Sequence, residues 1–550
     1  MTVSPLDDPF YYLVNFQRVL DWLSLRYSDV LDAEEQRFIA RFAQVPRPAQ
    51  ALLVRLVMRK GPLFRASKLV YDEIGATALA VQPLLDEGWV NAQAPLALAE
   101  LFEVLQKPEI ITTFKPWIRR ASARKDELLA QIAEHAPPAQ AFGLWCPHLD
   151  DQVYALPVRP LCERLRLLFF GNLHQGWTDF VLADLGIFRY ETVDMPLASR
   201  GLQNRADVEL GLQLHHCREA LEAGAELMPL LAQLRGLASD NPWLRSRRDK
   251  LLFSLAYQCE RQGLLLEALA IYSECAYPGS RARQIRVLER LERFEQAHAL
   301  ALLAEQAPES AAEAQHLPRV IPRLRRQLGL PATARSKKPV VLSLHVELAP
   351  GEVPMGVEFA VQAHLHEHDG PVYYVENSLL NSLFGLLCWP AIFAALPGAF
   401  FHPFQSGPAD LMQPDFHTRR ADLFGQCLAE LSDERYKATI RTRYHSKFGV
   451  QSPFVFWGAL SEELLAVALD CLPAEHLRRC FERLLEDVKA NRSGMPDLIQ
   501  FWPQEKRYRM IEVKGPGDRL QDNQLRWLDF CAQHQMPVQV CYVQWAASAP

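Results

Sequence analysis

The chain has 550 residues, which is too long for one hydrophobic core and predicts roughly three or four domains. Hydrophobic residues make up 49% and charged residues 23%, the ordinary balance of a soluble globular protein. A formal net charge of −6 argues against nucleic-acid binding through overall charge, so any DNA-binding surface has to be a local basic patch. The 11 cysteines are scattered and never spaced C-x-x-C, which predicts a reduced cytosolic protein without a zinc finger.

Residues 1–200 are predicted to be mostly helical, with a winged-helix or SAP-like character. The start of the chain lacks the basic-then-apolar profile of a signal peptide. Two basic runs stand out in this region, and either would suit a phosphate backbone, although single runs of this kind are usually solvated helix faces. The first comprises Arg55, Arg59, Lys60, Arg65 and Lys68, and the second comprises Lys115, Arg119, Arg120, Arg124 and Lys125. Two runs in one region favour DNA contact, which we assign to the first run.

Residues 201–335 have a continuous helical pattern that is rich in Leu and Ala. Residues 255–272 resemble half of a tetratricopeptide unit, with Ala256, Tyr257, Gly263 and the triplet EAL at 267–269. A weaker copy follows at 288–300. This predicts a degenerate helical-repeat array that positions other domains or binds a partner. Residues 331–338 (PATARSKK) have the composition of a linker.

Residues 377–401 contain no charged residue and are long enough to span a bilayer. The stretch also contains Asn381, Pro390 and Pro397, and Glu376 immediately precedes it. We interpret it as a buried helix, a proline break and a second apolar piece, and expect no membrane contact.

The pattern of residues 336–550 predicts an α/β domain with a helical insertion at about 390–490. A strand is expected near 340–346, then strands at 497–502 and 508–514, a helix at 520–532 and a strand at 538–544. A hairpin centred near residue 505 places Asp497 opposite residue 512 or 513. Glu512 and Lys514 share one face of their strand, and Ile511 and Val513 face the other way into a core. We expect the register in which Asp497, Glu512 and Lys514 converge, because a slip of one residue would scatter them.

Two further polar residues are placed on apolar helical stripes. Glu376 is expected on a helix above Leu380, Leu383 and Leu387, where an ionised carboxylate needs a partner such as a divalent metal. Gln524 shares a stripe with Trp527 and its neighbours, so we expect its amide to point into the same site.

This set of side chains suits hydrolysis of a phosphodiester bond. Carboxylate oxygens are preferred ligands of Mg²⁺ and Mn²⁺, and two such ions about 4 Å apart would clamp the attacking and leaving oxygens. Lys514 would orient or deprotonate the water or stabilise the pentacovalent phosphate. A salt-bridged surface hairpin would have the same short pattern, so the pattern alone leaves both interpretations open.

The flanking residues carry a family resemblance. Residues 494–498 (GMPDL), 512–520 (EVKGPGDRL) and the Gln524-x-x-Trp527-Leu528 pattern resemble the VRR-Nuc branch of the PD-(D/E)xK restriction-endonuclease-like fold. Residues 376–389 (ENSLLNSLFGLLCW), 59–71 and 171–177 (GNLHQGW) are similar to segments of the Fanconi-associated nuclease family. The resemblance covers most of the chain and includes the family's domain order.

The resemblance implies that Glu376, Asp497, Glu512 and the Val513 carbonyl are metal ligands and that Lys514 is the catalytic lysine. It also implies cleavage of 5′ flaps and other branched DNA, trimming in the 5′ to 3′ direction, and a role in interstrand-crosslink repair. Vertebrate members have a ubiquitin-binding zinc finger that no Cys–His set here could form. We therefore expect a bacterial, cytoplasmic and nucleoid-associated member that does not bind ubiquitin.

Two other functions fit the same sequence. A helical-repeat scaffold with an inactive nuclease fold is one, although the metal-ligand and lysine positions are intact. A junction resolvase or restriction-like nuclease would share the site, but such enzymes are usually compact dimers without long helical arms. The sequence therefore favours a nuclease for branched DNA.

Overall fold

The computed structural model describes residues 8–177, 188–332, 341–348 and 356–546. The chain divides into two compact units, one of Met1–Phe188 with Leu202–Leu212 and one of Arg189–Gly201 with Gln213–Pro550. The predicted fold class is confirmed: the protein is mainly helical, with one larger mixed sheet near its C-terminus. The second unit includes both the helical repeats and the C-terminal sheet. The predicted linker at 331–338 lies mostly outside the described residues.

The first unit combines helices with a two-stranded antiparallel sheet, in which Phe64 pairs with Tyr154. Its strands are β1 (Leu63–Arg65) and β2 (Val153–Ala155). Its helices are α1 (Tyr11–Arg26), α2 (Ala33–Phe42), α3 (Arg47–Met58), α4 (Thr77–Asp86), α5 (Leu98–Val104), α6 (Lys107–Thr113), α7 (Lys125–Ala133), α8 (Phe142–Trp145) and α9 (Arg159–Phe170).

The predicted repeat array is a run of helices in which each helix from α12 onward contacts the next. They are α10 (Arg205–Glu222), α11 (Leu227–Gly236), α12 (Pro242–Arg261), α13 (Leu265–Glu274), α14 (Ser280–Arg290), α15 (Phe294–Gln306) and α16 (Ala311–Gln327). Ala256 and Ala268 are buried at the α12–α13 contact, and Gly263 turns the chain between these helices with φ +83°. Small residues at the contact and a left-handed glycine at the turn are what the repeat-like pattern predicts.

Five strands form the C-terminal sheet in the order β3-β7-β6-β5-β4. They are β3 (Leu342–Leu348), β4 (Val372–Tyr374), β5 (Leu498–Trp502), β6 (Arg507–Lys514) and β7 (Val538–Trp545). β7 pairs in parallel with both β3 and β6, whereas β4, β5 and β6 pair antiparallel. Strands β3, β5, β6 and β7 match the sequence prediction to within a few residues, whereas the short β4 is not predicted from the sequence.

Both faces of this sheet are covered. Helix α17 (Val357–Leu365) packs against one face, where Ile511 and Val513 belong to a common apolar cluster with Val361. The other face carries a large apolar cluster, which includes Ile499 and Met510 and side chains of the helices that follow β4. Alternate residues of β5 and β6 thus enter different cores, and this fixes the register of the hairpin.

The predicted helical insertion lies between β4 and β5. Its helices are α18 (Leu379–Leu387), α19 (Trp389–Ile392), α20 (Ala421–Ala429), α21 (Arg435–Ser446), α22 (Glu462–Cys471), α23 (Ala474–Glu486) and α24 (Val488–Asn491). The uncharged stretch forms α18, a break before Pro390 and the short α19, as expected. Within the described ranges, no helix is long and apolar enough to cross a membrane.

Helix α25 (Asp522–Gln533) connects β6 to β7 and is held by the last repeat helix. Arg319 of α16 donates two hydrogen bonds of 2.6 and 2.9 Å to the carboxylate of Asp522. Gln315 of α16 donates to the Asp522 carbonyl at 3.0 Å and accepts from Arg526 at 2.7 Å. The repeat array therefore fixes the start of α25 beside the end of β6.

Candidate active site

The β5–β6 hairpin brings three of the predicted residues together. Its register pairs Leu498 with Ile511, so the residue before β5, Asp497, comes opposite Glu512. Asp497 Oδ2 accepts the backbone N–H of Val513 at 2.8 Å, which fixes its carboxylate against β6. This is the converging register that the sequence predicts.

Glu512 and Lys514 form an ion pair on one face of β6, with Lys514 Nζ 2.8 Å from Glu512 Oε1. Both side chains are buried, and Glu512 has no exposed surface. The two groups attract by charge without an aligned hydrogen bond, since neither carboxylate oxygen of Glu512 has a hydrogen-bond partner among the described residues. A buried carboxylate in this condition is costly unless a further cation joins it.

The electrostatics of the site confirm that cost. Burial raises the pKa of Asp497 to about 6; the Val513 N–H and Lys514 oppose the rise, and the charge of Glu376 adds to it. Burial also raises the pKa of Glu512 to about 7, with the charge of Asp497 adding and Lys514 opposing. One lysine thus compensates these carboxylates only in part, which favours binding of a divalent cation.

The predicted helical position of Glu376 is wrong. Glu376 is exposed and lies in the turn between β4 and α18, which begins three residues later at Leu379. Asn377 has φ +49°, a left-handed conformation that Asn tolerates but that cannot continue an α-helix. The turn still brings Glu376 close to the segment that carries Asp497, because the N–H of its neighbour Val375 donates to the Asp497 carbonyl at 2.8 Å. The charge of Glu376 accordingly adds to the rise in the pKa values of Asp497 and Glu512.

Two residues that the sequence analysis did not single out hold this turn. The Tyr374 hydroxyl donates to Glu376 Oε2, and burial followed by this hydrogen bond raises the pKa of Tyr374. Asn377 Nδ2 donates to Glu376 Oε1 at 3.2 Å, and Asn377 Oδ1 accepts the Met495 N–H at 3.1 Å. The signal that could have found them is the run of polar side chains Tyr374, Glu376 and Asn377 immediately before an apolar helix.

Gly494 allows α25 to approach the segment that carries Asp497. It has φ +87°, and a Cβ there would lie 2.8 Å from the backbone carbon of Asn523. Only glycine fits both the conformation and the contact. The glycine of the GMPDL segment is thus explained by packing next to the site.

The Gln524 side chain caps the start of α25. Its Oε1 accepts the Gln521 N–H at 2.9 Å as part of a capping box at the helix start. The expected orientation of its amide into the site, like the ligand role of the Val513 carbonyl, stays a prediction. Trp527 and Leu528, on the predicted stripe of the same helix, are buried as expected.

The carboxylates of the site are the predicted ligands of a metal ion. In the ranges that the structure describes, no group of three or more Asp, Glu, His or Cys side chains is placed so that it could hold a metal ion. The donor set nevertheless fits a hard divalent cation, because the buried oxygens of Glu512 lack hydrogen-bond partners beside two further carboxylates, Asp497 and Glu376.

The basic residues of the first unit divide into two groups. Arg65 pairs with both Glu109 and Asp151 and is nearly buried, and Arg55 pairs with Glu73 at 2.6 Å. Their guanidinium groups join segments that lie apart in the sequence, which gives Arg55 and Arg65 a structural role; their assignment to phosphate contact stays a prediction. Arg59, Lys60 and Lys68 are exposed and remain the candidates for phosphate contact.

This division predicts different effects of substitution. Replacing Arg59, Lys60 and Lys68 together by alanine should weaken binding to all DNA sequences. It should also reduce the slope of log affinity against log salt concentration by up to about three, one for each lost phosphate contact. Arg65→Ala should instead destabilise the unit by roughly 3 kcal/mol, because it leaves two carboxylates without their partner. The measurements are binding titrations at several salt concentrations and thermal melting. An unchanged slope in the triple variant would make these residues an ordinary solvated face.

Comparisons with known proteins agree with this site. Three family models match the chain: "VRR-NUC domain" over residues 431–545, "FAN1, HTH domain" over 10–91 and "Fanconi anemia-associated nuclease SAP domain" over 95–145. The "Fanconi-associated nuclease 1 homolog" of Pseudomonas aeruginosa is 56% identical over 98% of this chain and 97% of that protein. The chain belongs to the Fanconi-associated nuclease family.

Two further family members are more distant and longer. The Arabidopsis thaliana homolog is 25% identical, with 98% of this chain matching 67% of that protein. The human "Fanconi-associated nuclease 1" is 23% identical, with 97% of this chain matching 62% of that protein. The VRR-NUC match includes Asp497, Glu512 and Lys514, and the HTH match includes Arg59, Lys60 and Lys68.

Solved structures of a family member match over nearly the whole chain. One is described as "Crystal structure of paFAN1 bound to 2nt 5'flap DNA with gap", with a TM-score of 0.90, 56% identity and coverage of 98% of this chain and 99% of that one. A second, bound to "1nt 5'flap DNA with gap", has a TM-score of 0.89. The fold is therefore that of a Fanconi-associated nuclease throughout.

Proposed function

We propose that this protein is a metal-dependent nuclease that cuts 5′-flap and other branched DNA by hydrolysis of phosphodiester bonds. The observation that carries the proposal is the convergence of Asp497, Glu512 and Lys514 at the end of the β5–β6 hairpin, beside the turn at Glu376. The substrate follows from likeness to the family member whose structures hold 5′-flap DNA. We extend the proposal to 5′ to 3′ trimming and to interstrand-crosslink repair on the bacterial chromosome, in the cytoplasm.

The residues that would hold the metal are Glu376, Asp497 and Glu512, with the Val513 carbonyl as a further ligand. Mg²⁺ or Mn²⁺, most simply as two ions, would lower the pKa of a bound water and neutralise charge on the phosphate. Lys514 would orient the attacking water or stabilise the negative charge of the phosphate, and its ion pair with Glu512 positions it for this. The Val513 N–H holds Asp497 in place for the same task.

Contacts with the DNA backbone would make the protein select its substrate by the shape of the DNA rather than by its sequence. Exposed Arg59, Lys60 and Lys68 would contact backbone phosphates, which fix the position of a duplex but carry no sequence information. Cleavage should then depend on where strands branch. This separates the proposal from a restriction-like enzyme, which would share the catalytic residues.

The test uses labelled 5′-flap, 3′-flap, splayed-arm and fully paired DNA, each with Mg²⁺, Mn²⁺ or EDTA. We expect the 5′ flap to be cut near its junction at least about tenfold faster than the paired duplex, and no cleavage in EDTA. Moving one junction through several unrelated sequences should move the cut with it. Cuts that follow a sequence motif would support the restriction-like alternative, and full activity in EDTA would exclude the proposed chemistry.

A further inference from the structure

Two aromatic side chains form an exposed pair beside the proposed catalytic centre. The rings of Phe359, in the first turn of α17, and Tyr374, at the end of β4, have centroids 5.1 Å apart and planes at 33° to each other. Phe359 is 45% exposed and Tyr374 is 36% exposed. Exposed aromatic rings in contact leave apolar area in water that a flat ligand could cover.

The pair is connected directly to the catalytic residues. Tyr374 donates its hydroxyl to Glu376, and it pairs with Leu498, the residue after Asp497. The Val375 N–H also donates to the Asp497 carbonyl at 2.8 Å. The Tyr374 ring is therefore fixed by the same segment that positions Glu376 and Asp497.

Helix α17 brings Phe359 to this place. Its first turn lies against the end of β6, since a Cβ on Gly515 would be 3.6 Å from Val357 Cγ1. Gly515 follows Lys514 directly, so the first turn of α17 borders the proposed catalytic centre. The rest of the helix is anchored by Val361, which is fully buried under the sheet.

The negative charges beside the two rings limit which ligand the aromatic pair can bind. Glu358 and Glu376 lie next to the rings, and the charges of both raise the pKa of Tyr374. Two carboxylates repel a phosphate group that approaches without a metal, but they do not repel a neutral planar base. Every nucleobase has a π face, so stacking would also be tolerant of sequence, as a branch-directed nuclease requires.

We propose that Phe359 and Tyr374 form a stacking platform for an unpaired nucleobase adjacent to the scissile phosphate, an inference that rests on the proposed nuclease function. The platform holds the nucleotide next to the metal ligands, and the Tyr374 hydroxyl orients Glu376 at the same time. Stacking on such a ring changes affinity by about tenfold per base.

The test combines a protein change with removal of the base. A series of 5′-flap substrates carries an abasic nucleotide at each position on either side of the cut. In the unaltered protein, one of these positions should lower kcat/KM about tenfold. Phe359→Leu keeps an apolar side chain but has no flat face, so it should cut the intact flap about tenfold more slowly than the unaltered protein. Removing the base at the sensitive position should then lower the kcat/KM of this variant no further. The matched control is Phe448→Leu, because Phe448 is also an exposed aromatic (51%) of the same unit.

A readout without cleavage uses 2-aminopurine in place of the base, in EDTA. Its fluorescence should be quenched by the unaltered protein and by Phe448→Leu, but not by Phe359→Leu. Tyr374→Phe keeps the ring and should retain the quenching while cutting all substrates more slowly, because it loses the hydroxyl that holds Glu376. Melting temperatures show that each variant is folded.

The outcomes separate this inference from the proposed function. Suppose that the protein cuts flaps, but that each abasic position lowers the kcat/KM of Phe359→Leu by the same factor as it does for the unaltered protein. There is then no stacking platform. Quenching that persists in Phe359→Leu would likewise overturn it. If the unaltered protein does not cut intact flaps under any metal condition, the nuclease proposal itself fails.

Discussion

Replacing Asp497 by alanine is expected to lower the rate of 5′-flap cleavage roughly a thousandfold while DNA affinity changes little. Asp497 is the carboxylate that the Val513 N–H fixes against β6, opposite Glu512. Its removal would take one ligand from the cation and leave the phosphate-contacting cations of the first unit untouched. Single-turnover cleavage and equilibrium binding in EDTA measure the two effects separately.

Asp522→Ala serves as the matched control. Asp522 is an aspartate of the same unit, but it is exposed and pairs with Arg319 of the repeat array. We expect its loss to change cleavage by less than about tenfold, since an exposed ion pair contributes about 1 kcal/mol or less. Near-normal cleavage by Asp497→Ala would show that the metal is held elsewhere.

The hairpin at the centre of the site could be predicted because each strand is constrained on both faces. Ile511 and Val513 enter the core under α17, and Met510 enters the other core. Any other register would expose one of these sets. The polar residues Asp497, Glu512 and Lys514 occupy the positions that remain, so their convergence follows from apolar packing.

The turn at Glu376 could not be predicted in the same way. The apolar spacing of Leu380, Leu383 and Leu387 is continuous with Glu376, and periodicity alone extends the helix back to it. The left-handed φ of Asn377 ends that continuity, because Asn377 is held by the Met495 N–H from a distant segment. Helix boundaries set by such tertiary hydrogen bonds are not visible in local sequence.

The basic run at the N-terminus shows the same limit for charge. Arg65 looks like its neighbours Lys60 and Lys68 in the sequence, but its partners Glu109 and Asp151 lie far along the chain. A run of cations therefore predicts a basic surface only for the members that no distant carboxylate neutralises. Among the residues that the structure describes, Arg59, Lys60 and Lys68 have no such carboxylate partner.

In the metal-free protein, Asp497→Asn is expected to be more stable than the unaltered protein at pH 8. Burial raises the pKa of Asp497 from 3.8 to about 6 in the folded state, so the folded protein binds more protons than the unfolded one between these values. Stability is therefore lost as pH rises through about 6, and the full loss is about 3 kcal/mol. Asparagine removes the charge and keeps an oxygen that accepts the Val513 N–H.

Denaturant unfolding in EDTA should show that the gain of Asp497→Asn is largest at pH 8 and shrinks towards zero below pH 3.8, where the carboxyl becomes neutral in both folded and unfolded protein. Saturating Mn²⁺ at pH 8 should reverse the order. A ligand at a thousand times its Kd stabilises the folded state by about 4.1 kcal/mol, which exceeds the loss of about 3 kcal/mol, and the variant lacks one of the oxygens that bind the ion. The reversal is the informative result, because a carboxylate that only supports the fold would make Asp497→Asn less stable with and without metal. If Asp497 serves to bind the cation, its buried charge lowers the free energy of unfolding until the cation is bound.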